Sequence, residues 1–98
     1  MAPGDKQFVQ VTVNGMARDQ RDNPVVLLKS SESDDVLPIW IGQAEGLAIQ
    51  LTMSGEKFER PLTHDLLRIT IESLGATLAK VAVTDLSNNT FFAKLYLR

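Results

Sequence analysis

The stretch that decides the fold is LPIWIGQAEGLAIQLTMSGEKFERPLTHDLLRITIESLG, residues 37–75. It opens within a short apolar strand, residues 36–41, and continues through two helical segments joined by a charged connector. Pro38 lies inside the strand and cannot donate a backbone hydrogen bond to a neighbouring strand. The pattern therefore predicts that this strand lies at a sheet edge or contains a bulge.

The first helical segment follows Gly42 and extends to Ser54. Gly46 weakens a helix, so its presence predicts close packing against another element. Gly55 is a suitable C-cap, because glycine adopts the left-handed backbone that ends many helices. The apolar positions recur every three or four residues and form one predicted face: Ala44, Leu47, Ala48 and Leu51.

The second helical segment begins at Thr63, which is predicted to be the N-cap, and ends at Gly75. Asp65 falls in the first turn, where the helix dipole favours a carboxylate. The predicted buried stripe consists of Leu67, Ile71 and Leu74.

Strands occupy both ends of the chain. Residues 8–13 alternate as a half-buried strand, with Val9, Val11 and Val13 on one face, and residues 17–24 form a polar hairpin loop. Residues 25–29 are apolar on both faces and are expected to form a central strand. A final hairpin, residues 78–85 and 90–97, turns at residues 87–89.

The order β-β-β-α-α-β-β predicts an α+β fold, with a mostly antiparallel or mixed sheet and both helices packed on one side. The 98 residues are expected to form a single domain, residues 1–98, with residues 1–6 frayed. There is no cysteine, which excludes disulfides and thiolate metal sites. No apolar run is long enough to span a membrane and no signal peptide is evident, so we expect a cytoplasmic protein.

The charge balance counts against a nucleic-acid-binding surface. Ten basic residues face twelve acidic ones, giving a formal net charge of −2, and no two basic residues are adjacent. Because phosphate contacts drive nucleic-acid affinity, such a surface would have to arise from folding scattered cations onto one face, or from oligomerisation.

The final apolar strand runs almost to Arg98 with no capping element after it. An uncovered strand edge pairs readily with another chain. We therefore expect either that the chain is truncated at its C-terminus or that homo-oligomerisation, through the sheet edge or helix faces, covers this strand.

Several segments together resemble the bifunctional nuclease domain family over residues 8–98. They are LPIWIG at 37–42, Glu45, AI at 48–49, RPLTHDLL at 60–67, LGA at 74–76, DL at 85–86 and TFFA at 90–93. The resemblance implies an α+β fold, self-association and hydrolysis of DNA and RNA phosphodiester bonds with low sequence specificity. Family members continue past the last strand, so the C-terminal part of the family domain is expected to be absent here.

Three residues are the candidates for catalysis. His64 could act as general base or acid, while Asp65 or Glu45 binds a divalent cation, Mg²⁺ or Mn²⁺, that activates water. His64 and Asp65 cannot form a simple dyad, because adjacent helix positions do not face each other. The structural alternative is that residues 63–65 form a capping turn and that Glu45 serves its own helix N-terminus.

Three further residues are candidates for substrate binding: Arg60, Thr63 and Arg68. Arg60 lies near the N-terminus of the second helix, where anions bind, although it could instead pair with Glu56 or Glu59. Arg68 follows His64 by one helical turn and could flank the same surface. Asp85 could complete an acidic pair or simply initiate a turn.

The aromatic residues Trp40, Phe91, Phe92 and Tyr96 could stack on unpaired bases. Because aromatics alternating within strands usually belong to a core, we expect them to be buried. Two functions of other classes also fit the sequence. One is a non-catalytic oligomeric interaction module, and the other is a regulatory domain that binds a small ligand.

Overall fold

The computed structural model describes residues 8–57 and 59–98, which form an α+β fold with the predicted order β-β-β-α-α-β-β. The predicted fraying of residues 1–6 lies outside the described residues. The five strands divide between two antiparallel sheets. The chain forms two compact units, one ending at Ser54 and the other comprising residues 55–98.

The first unit contains a three-stranded sheet in the order β1-β2-β3. The strands are β1, Val11–Arg18; β2, Pro24–Ser30; and β3, Val36–Trp40. The central position predicted for the second strand is confirmed, because β2 pairs with both neighbours. Pro38 lies on β3, which pairs with β2 alone among the described residues, so its predicted edge position is also confirmed.

The first strand and its loop differ from the prediction. β1 begins at Val11 and continues to Arg18, so the loop before β2 is shorter than the predicted residues 17–24. A register shift between Val13 and Gly15 interrupts the alternation. The strand was predicted to be half-buried, with its valine face in the core. That prediction is wrong, since the residues of this face are between 42% and 53% exposed: Val9, Val11 and Val13.

Helix α1, Gln43–Ser54, packs on the sheet through Gly46, which is buried. A Cβ built on Gly46 would lie 2.8 Å from the Pro24 Cβ and 3.6 Å from the Met16 Cε, which confirms the predicted close packing. Val25 and Val26 of β2 form the buried apolar core of the described residues. The predicted apolar face of α1 holds only in part, because Ala48 and Leu51 are half-buried whereas Ala44 and Leu47 are exposed.

Both helices end as predicted, on glycine in the left-handed region. Gly55 has a φ of 75° and follows the last residue of α1. Helix α2, Thr63–Ser73, is followed by Leu74 as C-cap and by Gly75 with a φ of 89°. The Gly75 N–H donates to the Glu72 carbonyl and the Ala76 N–H donates to the Ile71 carbonyl. These two hydrogen bonds are those of a Schellman motif.

The start of α2 differs by one residue from the prediction. The N-cap is Leu62, which has an extended backbone, and Thr63 is the first helical residue. The predicted N-cap role of Thr63 is therefore wrong. The predicted buried stripe is also wrong in part, since Leu67 is 54% exposed and Leu74 82% exposed, whereas Ile71 is half-buried.

The second unit also contains the predicted hairpin, β4, Leu78–Ser87, and β5, Thr90–Leu97. Asn88 and Asn89 connect the strands with φ values of 52° and 59°. Positive φ at both central residues is the requirement of a two-residue type I′ turn, a conformation that asparagine tolerates well.

Replacing Gly46 with alanine distinguishes helix propensity from close packing, because the two effects change the free energy of unfolding in opposite directions. Helix propensity alone would make Gly46→Ala more stable by about 1 kcal/mol. Overlap with Pro24 should instead lower the free energy of unfolding by about 1–3 kcal/mol, since a proline ring cannot move without its backbone. Urea denaturation measures the change, with the exposed position Thr52→Ala on the same helix as control. A more stable Gly46→Ala protein would contradict the packing described here.

Candidate functional site

The first turn of α2 carries two of the three predicted catalytic residues, His64 and Asp65. The N-terminal cap of the helix sets the geometry of this turn. The Leu62 N–H donates to Oδ2 of Asp65 at 3.3 Å, and the Leu66 N–H donates to the Leu62 carbonyl at 2.8 Å. Asp65 is half-buried in this position. Its carboxylate thus stabilises the helix start, as in the structural alternative, while Oδ1 makes no hydrogen bond to a described residue.

His64 is exposed beside this cap and its side chain makes no hydrogen bond or ion pair with a described residue. Arg68 lies one turn later, on the same side of α2. Its Nη1 donates to Oε1 of Glu72 at 2.9 Å, in a pair whose side chains are 58% and 46% exposed. The structure therefore presents His64 and Arg68 together to solvent.

The other predicted substrate-binding residues, Arg60 and Thr63, lie at the N-terminal end of α2. Arg60 is exposed and forms no ion pair with Glu56 or Glu59, so that predicted pairing is wrong. Thr63 is exposed as the first residue of the helix. The N-terminal end of α2 thus carries two arginines, a hydroxyl and an imidazole within residues 60–68.

Glu45 belongs to the first unit, in the first turn of α1. Its carboxylate folds back over Gly42, where an added Cβ would overlap it. This position suits a carboxylate at a helix N-terminus. Asp85 lies within β4 opposite Phe92, next to a register shift, and the chain turns only after Ser87. The suggestion that Asp85 initiates the turn is wrong.

Few side chains at the start of α2 are placed to bind a divalent cation. Taking each unit by itself, no three His, Asp or Glu side chains of the described residues cluster closely enough to hold a metal ion. Mg²⁺, however, is commonly held by one or two carboxylates together with waters and substrate phosphates. The open Oδ1 of Asp65 fits that restricted role.

A second polar cluster, which the sequence analysis missed, surrounds Asp19 in the β1–β2 loop. Oδ1 accepts the backbone N–H groups of Arg21 and Asn23, both at 2.9 Å. Oδ2 accepts Nδ2 of Asn23 at 3.2 Å and the indole Nε1 of Trp40 at 3.0 Å. These bonds, above all those from the Asn23 backbone and the Trp40 indole, lower the Asp19 pKa to about 2.

The same loop is tied to the start of α1. Arg18 Nη1 donates to the Asp22 carbonyl at 2.9 Å, and Gln43 Nε2 donates to that same carbonyl at 3.3 Å. Arg18 Nε also lies 3.7 Å from Asp22 Oδ1. Asp22 itself has a φ of 65°, a left-handed conformation that aspartate tolerates in turns. The hydrogen bonds thus join the β1–β2 loop to the β3–α1 junction.

A sequence signal for this loop was available. An aspartate followed at short distance by Asn-Pro is typical of side-chain-to-backbone turns, in which the carboxylate accepts N–H groups further along the chain. The pattern Asp19 to Pro24 fits that description. Nothing in the local sequence, however, indicates the bond from Trp40, which is distant along the chain.

The aromatic residues are more exposed than predicted. Trp40 is 59% exposed, Phe92 51% and Tyr96 40%, whereas Phe91 is half-buried. The ammonium of Lys80 lies 4.6 Å from the centre of the Tyr96 ring, a cation–π contact. The prediction that these aromatics are core is therefore wrong for Trp40, Phe92 and Tyr96.

The first unit also contains a groove of about 470 Å³ between the end of β1 and α1. Its size falls within the range of small-ligand pockets. The lining residues are Met16, Ala17, Arg18, Pro24, Gly46, Gln50, Met53 and Ser54.

Comparison with known proteins identifies the family. The family model of the bifunctional nuclease domain matches residues 26–98, which include β2, β3, both helices and the final hairpin. The chain belongs to the bifunctional nuclease domain family. This match confirms the resemblance noted in the sequence, over a somewhat shorter span.

Two relatives, uncharacterized proteins from two strains of Mycobacterium tuberculosis, are each 47% identical to this bifunctional nuclease domain over 87 residues. The alignment covers 88% of the chain and 53% of each relative. The chain therefore spans about half the length of these relatives. Among the residues that the structure describes, neither helix is long and apolar enough to cross a membrane.

The lowered pKa of Asp19 predicts a specific acid sensitivity. Because the folded state holds the pKa at about 2, below its ordinary value of 3.8, the carboxylate stabilises the fold fully above pH 3.8. That stabilisation is lost as the pH falls towards 2. Thermal unfolding across this range should show wild type losing stability more steeply than Asp19→Asn, which should be the less stable protein at neutral pH. Parallel pH profiles for the two proteins would contradict the assigned role.

Proposed function

We propose that this chain hydrolyses phosphodiester bonds of DNA and RNA with low sequence specificity, at the first turn of α2. The observation that carries the proposal is the match to the bifunctional nuclease domain over residues 26–98. The exposed imidazole and cations at the start of α2 support the location. Because the chain covers about half of its relatives' length, activity of this chain by itself is part of the proposal.

The phosphate group is bound at the N-terminus of α2. The first N–H groups of a helix lack intrahelical acceptors and favour an anion. Asp65 uses the N–H of Leu62, which leaves those of the following residues for a phosphate. Arg60 and Arg68 add positive charge. The exposed pair of Arg68 with Glu72 is worth little, so its guanidinium can turn to a phosphate at small cost.

His64 provides the proton transfer in this proposal. Its exposed imidazole can take a proton from the attacking water or give one to the leaving oxygen. Thr63, on the neighbouring position, offers a hydroxyl to the phosphate oxygens. Glu45 lies on α1, in the other unit, and its assignment as a catalytic residue remains a prediction.

A divalent cation, Mg²⁺ or Mn²⁺, would be held by Oδ1 of Asp65. When bound, such a cation neutralises phosphate charge and makes a bound water more acidic. Oδ2 of Asp65 remains on the Leu62 N–H, which keeps the carboxylate oriented. These groups contact phosphate rather than bases, and phosphate contacts carry no sequence information, which accounts for the low specificity proposed for DNA and RNA.

Cleavage of fluorescent single-stranded DNA and RNA tests the proposal, with magnesium or manganese and an EDTA control. His64→Ala should reduce the cleavage rate about 100-fold or more, since general acid–base catalysis contributes at least that much. Ser73→Ala at the far end of α2 is the matched control and should cleave like wild type. Activity that survives unchanged in His64→Ala would overturn the assignment of this residue.

Two substitutions at Asp65 separate capping from metal binding. Asp65→Asn keeps a side-chain acceptor for the Leu62 N–H but removes the charge, so it should stay folded and lose metal-dependent cleavage. Asp65→Ala removes both and should also lower the free energy of unfolding by about 0.5–2 kcal/mol. Full activity in Asp65→Asn would leave capping as the sole role of this carboxylate. Absence of cleavage by wild type under every metal condition would reject the nuclease proposal for this chain.

A second candidate, a non-catalytic module that self-associates, is favoured by the exposed apolar face of the β4–β5 hairpin. Residues directly opposite each other on paired strands point to the same face, as Val81 and Leu95 do. Both are 54% exposed, and Leu97 is 51% exposed. A two-stranded hairpin is marginally stable by itself, and a second copy of the chain could cover this face.

Sedimentation analysis tests the second candidate. Leu95→Lys places a charge in the apolar face and should shift an oligomer towards monomer, whereas Lys94→Gln, on the opposite face of β5, should leave its mass unchanged. A wild-type chain that is monomeric at every concentration would reject self-association.

A further inference from the structure

Trp40 exposes a large aromatic surface that the proposed catalysis at α2 does not use. Its side chain is 59% exposed, although a tryptophan at the end of an apolar strand would ordinarily be buried. Aromatic surface of this size in water is costly unless a partner covers it. The groups around Trp40 indicate what kind of partner would cover it.

The sheet register places the indole on the face away from α1. Met16 lies near Gly46 of α1, so the next residue, Ala17, points to the other face. Ala17 pairs with Val25, and Val25 pairs with Trp40, which puts all three on that opposite face.

The orientation of the Trp40 indole is fixed before any ligand binds. Its Nε1 donates to Oδ2 of Asp19 at 3.0 Å, and Oδ1 of the same carboxylate is held by two backbone N–H groups. A ring held in this way loses little conformational entropy when a flat group stacks on it. An exposed, preoriented indole is therefore well suited to stacking.

Among the described residues at positions 18–22, one cation has no charged or hydrogen-bonding partner. Asp19 is satisfied by its four hydrogen bonds, and Asp22 pairs with Arg18. Arg21 is exposed, and its guanidinium makes no hydrogen bond or ion pair with a described residue. Proteins that bind single strands combine cations, which contact the backbone, with aromatic side chains, which stack on the bases.

We propose that the indole of Trp40 stacks on an unpaired base of single-stranded DNA or RNA, with Arg21 contacting the adjoining phosphate. The ligand class rests on the proposed nuclease function, but this site shares no residue with the catalytic site proposed on α2. Stacking on an aromatic side chain tolerates any base, in keeping with low sequence specificity.

Fluorescence gives a direct test, because Trp40 is the single tryptophan of the sequence. The wild-type chain is titrated in EDTA, which prevents metal-dependent cleavage, with oligothymidylate and with an abasic strand of equal length. Stacking should quench the tryptophan emission on addition of oligothymidylate, while the abasic strand should leave it nearly unchanged. Equal emission changes with the two strands would overturn the proposal.

Anisotropy of labelled strands measures the contribution of each side chain. Trp40→Leu should weaken oligothymidylate binding roughly 5- to 150-fold, the range expected for one stacked base, and should barely affect the abasic strand. Trp40→Phe keeps an aromatic ring and should lose less, which also covers the case in which Trp40→Leu does not fold. Arg21→Gln should weaken both strands alike, because both carry phosphates.

The outcomes separate this proposal from the catalytic one. Oligothymidylate binding that is unchanged in both Trp40→Leu and Trp40→Phe would overturn stacking, even if wild type cleaves and His64→Ala does not. No binding of either strand would also overturn it. Base-dependent quenching without cleavage by the wild type would support stacking and reject the nuclease.

Discussion

The first unit depends on the hydrogen bonds that the Asp19 carboxylate accepts. It accepts two backbone N–H groups of its own loop, which gives that loop its shape, and it also holds the indole of Trp40. The neighbouring Asp22 carbonyl accepts from Gln43, the first residue of α1. One short loop thus positions the end of β3 and the start of the helix, and Gly46 then seats that helix on Pro24.

Much of the fold could be predicted because it rests on local chemistry. Gly55 and Gly75 end the helices, Asn88 and Asn89 make the hairpin turn, and the apolar pattern of β2 requires a central position. The error at the start of α2 arises where two local effects compete. Thr63 is a good N-cap by type, but the side chain of Asp65 accepts the Leu62 N–H and the helix starts from Leu62.

The candidate site was only partly accessible from the sequence. The cluster of His64, Thr63 and Arg68 follows from helical spacing, which is why the sequence could name it. The exposure of Trp40 could not be predicted, because the bond that orients it joins residues 21 positions apart. The proposed catalytic and stacking roles therefore rest on residues of different units: those of α2 for phosphate chemistry, and Trp40 with the Asp19 loop for base contact.

The measurement that most directly tests the central role of Asp19 is the pH titration of the Trp40 indole N–H signal by NMR, in wild type and in Asp19→Asn. One tryptophan gives one indole signal, so its assignment is unambiguous. We predict that the wild-type signal shifts with the Asp19 pKa of about 2 and that this titration disappears in Asp19→Asn. An indole signal that titrates at the ordinary aspartate value of 3.8, or that behaves identically in the two proteins, would contradict it.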